Sequence, residues 1–176
     1  MDELSGRNFG LVIAYLVPGF IVMLASTEVS PLARSWVALD GGAQPTVGGF
    51  LYITLASIAA GMTISSIRWM VIDTVHHRTG IRSPRWRFKR LQSNLEAYKL
   101  LVEFHYRYYQ FNANTFVAVA LAYAIRLSGN CRSCGGPGWM DVGFVIIEVV
   151  LFATSRDTLR KYYARGSQAL AASGNE

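Results

Sequence analysis

The chain has 176 residues, of which 52% are hydrophobic and only 16% charged, with a formal net charge of +6. That is too apolar and too sparsely charged for an ordinary soluble domain of this size, so the bilayer is the expected solvent. The 17 Lys and Arg against 11 Asp and Glu must then sit outside the hydrocarbon, and where they cluster carries topological information.

In chain order, Phe9 to Ser26 is free of charge and long enough for a span, given that about 20 apolar residues cross the hydrocarbon. The small residues Leu24-Ala25-Ser26 at its end also suit a secretory cleavage site, but the acidic start Met1-Asp2-Glu3 is not the basic start of a signal peptide, so the span is expected to be retained. Pro18-Gly19 is the place for a kink. Val47 to Ile67 is a second charge-free span. It carries Thr54, Ser57, Gly61, Ser65 and Arg68 at helical spacing, a stripe that either packs closely on a neighbouring helix or lines a path.

The connection from His76 to Gln110 holds eight basic residues, Arg78, Arg82, Arg85, Arg87, Lys89, Arg90, Lys99 and Arg107, against Glu96 and Glu103. From Ser93 to Ile125 there is no Gly or Pro, and Ser93 with Glu96 forms a capping-box start, which predicts one long helix. Its first half extends into the cytoplasm and its second, Tyr108 to Ile125, crosses the membrane. The extension bears a stripe of Leu95, Tyr98, Val102 and His105 that needs a partner, and the same helix of another subunit is the expected one. His76, His77 and His105 lack the acidic or cysteine neighbours that would complete a metal site.

Cys131 and Cys134, in Cys-Arg-Ser-Cys on the outer loop, are expected to form a small disulfide ring in an oxidising compartment. A redox site would need a surrounding βαβ pattern that is lacking. The fourth span, Trp139 to Ser155, is interrupted by Asp141 and Glu148. With Ser155 these are spaced seven apart and so fall on one helix face, a polar line across the bilayer. An ionisable group at mid-membrane, here Glu148, is read first as facing a water-filled path and otherwise as a helix-gluing carboxyl. Ser57, Asn114 and Thr115 lie at comparable depth, whereas Arg68 is about 18 Å deeper and no partner for Glu148.

Alternate connections carry thirteen and three basic residues, which places both termini and the central segment in the cytoplasm and requires an even number of spans. The expected architecture is an all-α integral membrane protein of the bacterial inner (plasma) membrane with four transmembrane helices, the third extended into the cytoplasm. It divides into a first hairpin (1–75), a basic cytoplasmic segment with the helix extension (76–110), a second hairpin (111–155) and a cytoplasmic tail (156–176). The basic segment, with Trp86 and Phe88 interleaved among its cations, suits anionic lipid on one reading and a phosphorylated ligand or single-stranded nucleic acid on another.

The stretches Arg68-Trp69-Met70-Val71-Ile72-Asp73 and His105-Tyr106-Arg107-Tyr108-Tyr109-Gln110-Phe111 look like segments of small bacterial membrane proteins. In its architecture the whole chain resembles the membrane effector (channel) subunit of the Hailong anti-phage defence system. The resemblance implies a homotetrameric channel held shut by a single-stranded oligonucleotide on a basic cytoplasmic region. On this reading Asp141, Glu148, Ser155, Asn114, Thr115 and Ser57 line the pore. A single-stranded oligonucleotide or cyclic nucleotide is held by Arg78, Arg82, Arg85, Arg87, Lys89, Arg90, Lys99, Arg107 and Trp86. No cofactor, metal or catalytic residue is expected, since no P-loop, Gly-x-Ser-x-Gly or His-Glu-x-x-His is present. A non-conducting adaptor that recruits soluble partners through the basic segment is the alternative; an intramembrane enzyme or small-solute transporter is a third.

Overall fold

The computed structural model describes residues 2–37, 47–84, 95–130 and 138–171, and every regular element among them is helical. The helices are α1 (Asp2–Ser26), α2 (Pro31–Val37), α3 (Val47–Arg68), α4 (Thr74–Arg78), α5 (Leu95–Leu101), α6 (Arg107–Asn130) and α7 (Trp139–Ala171). A π-helical turn, Trp69–Asp73, joins α3 to α4, and a second, Val102–Tyr106, joins α5 to α6. Three long helical rods result: Val47–Arg78, Leu95–Asn130 and α7. At 1.5 Å per residue each is about 50 Å long, well beyond the roughly 30 Å of hydrocarbon.

By length and composition, Val47–Arg78 qualifies on its own as a membrane-crossing helix. Val12–Ser26 qualifies only together with α2, which turns away from it by 120°. The all-α expectation is met. Leu51, Leu55, Ile58 and Met62 on α3 and Val145, Ile146, Val149 and Val150 on α7 face outward and are exposed. Apolar faces this continuous need hydrocarbon or another protein surface against them.

α1 packs on both α3 and α6, and α6 carries α7. The α1–α3 contact is close because of two glycines. A Cβ on Gly19 would come within 1.7 Å of the Ser57 carbonyl oxygen, and one on Gly61 within 2.0 Å of the Tyr15 carbonyl oxygen. The stripe Ser57, Gly61, Arg68 is buried, so within one chain it serves helix packing. Pro18 is buried inside α1, which continues on both sides of it.

The core lies toward the end of the molecule that carries the basic segment, around Ile64, Ile72, Ile81, Tyr109, Ala113, Val117, Leu159 and Tyr162. Residues 156–171, in the segment expected to be the cytoplasmic tail, continue α7 without a break. The stripe on the α5 extension finds its partner in that continuation: Tyr98 and Tyr162 join hydroxyl to hydroxyl at 3.2 Å, the Tyr106 and Tyr162 rings lie 5.2 Å apart, and Arg165 donates to His105 Nε2 at 2.6 Å. α7 is long enough to follow the extension, so part of the stripe is covered within the single chain. Burial, with the Tyr98 hydrogen bond next, pushes the Tyr162 phenol well above its ordinary value, so it stays neutral. Burial also raises Tyr163.

Candidate functional site

Where the three rods leave the apolar region, a buried polar cluster joins them. It starts from the π turn. In an α-helix, residues five apart point away from each other, but the i→i+5 pattern of a π turn brings them to one side. Arg68 and Asp73 are so placed, with Arg68 Nη1 donating to Asp73 Oδ1 at 3.0 Å. Tyr109 of α6 donates its hydroxyl to the same carboxylate oxygen, and the Arg68 guanidinium lies 5.2 Å from the Tyr109 ring centre. Arg68 is 3% exposed. A cation so deeply buried is tolerable only when paired, and Asp73 pairs it.

One turn further on, His76 is fully buried with its Nε2 3.1 Å from Ser155 Oγ on α7. Ser155 Oγ also lies 2.8 Å from the Phe152 carbonyl oxygen. His76 Nδ1 is buried and has no partner among the described residues. Sequence reading finds no nucleophile beside a base, and this pair, 79 residues apart in the chain, escapes it. The geometry is that of a bond between helices, and neither side chain reaches solvent.

α4 then ends in a Schellman motif. Gly80, at φ 102°, turns the chain so that the Ile81 N–H bonds the His76 carbonyl at 3.1 Å, while Ile81 itself is buried. Arg156 of α7 clamps this turn, donating to the Thr79 hydroxyl and, at 2.6 Å, to the Thr79 carbonyl. Tyr163 Oη lies 3.4 Å from His77 Nε2. The start of the basic segment is thus tied to α7 on both sides of its first turn.

The six residues expected along a pore are placed as follows. Ser57, Asn114 and Ser155 are fully buried inside the single chain, and Thr115 is nearly so. Asn114 donates to the Ala14 carbonyl at 2.9 Å and ties α6 to α1. Asp141 accepts the Gly138 N–H at 2.6 Å, the return half of a capping box at the start of α7, and the Tyr123 hydroxyl at 3.1 Å. Glu148 borders a cavity of about 270 Å³ with Ala120, Tyr123, Phe144, Val145 and Val149, and one of its carboxyl oxygens is buried without a partner among the described residues. Asp141, Glu148 and Ser155 therefore share the side of α7 that faces the chain's own interior. Arg68 is paired with Asp73, and Glu148 has no cationic partner among the described residues.

Of the expected ligand-binding residues, Arg78, Arg82 and Lys99 are exposed. Arg107 is drawn toward Glu103 at 3.4 Å and lies beneath Gly10 of α1. Arg85, Trp86, Arg87, Phe88, Lys89 and Arg90 lie outside the described residues, as do the Ser93 cap and Cys131 with Cys134. Among the described residues no group of three or more His, Cys, Asp or Glu is arranged to hold a metal ion. Comparison with protein families, curated proteins and solved structures finds no match.

Proposed function

We propose that this chain is a four-span protein of the bacterial inner membrane, with both termini in the cytoplasm, that assembles with copies of itself into an ion channel. A nucleotide or oligonucleotide bound at the basic cytoplasmic region controls it. The observation that carries this reading is the continuous connection from the basic segment to the helices that enter the membrane. Thr79, at the root of that segment, is clamped by Arg156, and one turn away His76 is bonded to Ser155 on the same α7. A ligand that displaces the root of the segment is felt directly by α7 and by the rod that carries α3, because these bonds tie Thr79 and His76 to α7.

The experiment is conductance of the reconstituted full-length protein in planar bilayers, with and without nucleotides and short single strands. Ligand-dependent conductance that disappears when Arg82, Arg85, Arg87 and Arg90 are neutralised together supports the reading, and a silent protein that binds no such ligand at low salt refutes it. Glu148→Gln should alter conductance while the assembly persists. Reporter fusions at Gly41 and at residue 176 should fall on opposite sides of the membrane.

One observation favours the adaptor instead. Ser57, Asn114 and Ser155 are turned into the single chain, and the outward faces of α3 and α7 in the apolar region are dominated by aliphatic side chains. A monomer without conductance, retaining partners through the basic segment, would put that reading ahead.

A further inference from the structure

We infer that the phosphate-binding centre of this protein is built on the cytoplasmic half of α7, with Arg160 as its central ligand; this rests on the proposal that the basic region receives a phosphate-bearing molecule. The register of α7 sets Arg156, Arg160 and Tyr163 along one side, at spacings of four and three. Both ends of that row are anchored, Arg156 on Thr79 and Tyr163 against His77. Arg160 sits one turn from each anchor, exposed and without an ion pair among the described residues.

Cations predominate around it: Arg156 lies one turn back on α7, and Arg78 and Arg82 are exposed at the root of the adjoining segment. Asp157, three residues before Arg160 on α7, binds Lys161 at 2.5 Å, and Asp73 binds Arg68 and Tyr109. A guanidinium that makes no hydrogen bond to the described residues, one turn from a second guanidinium, is suited to take a phosphate in bidentate fashion.

Depth decides which phosphates can reach it. Arg160 is five residues past Ser155, about 7.5 Å beyond the inner end of the fourth span, at the outer limit of a headgroup layer roughly 5–7 Å thick. A lipid headgroup and a soluble nucleotide both have access at that level.

The test uses the full-length chain, as wild type and as Arg160→Ala, Arg160→Lys and Lys161→Ala. Binding of radiolabelled ATP is measured in phosphatidylcholine nanodiscs, and retention of phosphatidylglycerol in detergent micelles. Arg160→Ala should weaken the bound phosphate by about tenfold or more, Arg160→Lys should recover part of the loss, and Lys161→Ala, which removes the same charge one residue away, should change it less than about twofold. Arg160-dependent ATP binding assigns a soluble ligand. Arg160-dependent retention of phosphatidylglycerol with no ATP binding keeps the site as a headgroup site while removing support for ligand gating. Equal effects of Arg160→Ala and Lys161→Ala would reduce the patch to diffuse charge and overturn the inference. ATP binding by the wild type that Arg160→Ala leaves unchanged would overturn it too, yet spare the proposed gating. Failure of the wild type to hold either phosphate would overturn the inference and leave gating by an oligonucleotide to the conductance experiment.

Discussion

Gly61→Ala tests the packing of α1 on α3 directly. The added Cβ would stand 2.0 Å from the Tyr15 carbonyl oxygen, 2.7 Å from its carbon and 3.1 Å from its Cα. All three atoms are backbone, so no side chain can rotate away, and the helices must separate by roughly 1.4 Å to restore ordinary contact. A gap of 0.5–1 Å already forfeits about a quarter to a half of a dispersion contact. Every buried residue along α3, from Ile53 through Ser57 and Ile64 to Arg68, shares in the loss. In hydrocarbon that packing is the main force holding the helices together. The expected cost is about 2–3 kcal/mol, the upper part of the overpacking range. It is measured by titrating purified protein from dodecyl maltoside into SDS and following tryptophan fluorescence. The control is Gly143→Ala on α7, where a Cβ meets nothing within 4 Å and helix propensity favours alanine by about 1 kcal/mol. A Gly61→Ala variant within about 0.5 kcal/mol of wild type would show that the two backbones do not meet as described.

Asp73→Asn should destabilise the protein by about 3–5 kcal/mol in the same titration, since it leaves the Arg68 charge buried and uncompensated. The double variant Arg68→Met with Asp73→Leu should recover much of that loss, and a double variant no better than Asp73→Asn would mean that the pair itself is not the cause. Ser155→Ala removes the only hydrogen-bond partner of the His76 ring that the described residues supply and should cost about 1–3 kcal/mol. An unchanged SDS midpoint would place a further partner at the ring. Gly80→Ala has open space around its Cβ but keeps a positive φ, so the cost should be conformational alone, about 1 kcal/mol, with Asn less costly than Ala. Alanine as benign as asparagine there would remove the Schellman turn.

How much of this was legible in the chain depends on what kind of periodicity encodes it. The all-helical class, the length of the rod after residue 95 and the close-packing stripe through Ser57 and Gly61 follow from charge-free runs, missing helix breakers and a 3.6-residue repeat, which are local properties. The absence of an Arg68–Glu148 pair followed from the same arithmetic, since depth along a helix is fixed by residue count. The one-sided distribution of basic residues is equally readable as an expectation of topology, because it depends on counts rather than contacts.

The polar cluster was not readable, for two physical reasons. The Arg68–Asp73 pair needs a π turn, and a reading at 3.6 residues per turn sends those side chains to different faces. The His76–Ser155 and Arg156–Thr79 bonds join residues 79 and 77 positions apart, and nothing local marks either partner. The tertiary structure also supplied neighbours that residue chemistry alone left open. Ser57, Asn114 and Ser155 have the polarity that a pore lining needs, but polarity does not say which neighbour a helix face meets. Once α1, α3, α6 and α7 close on one another, those side chains lie between helices of the same chain. The stripe at Tyr98 and Val102 shows the same limit, since its need for a partner was encoded in the sequence and the identity of that partner was fixed only by how far α7 runs beside it.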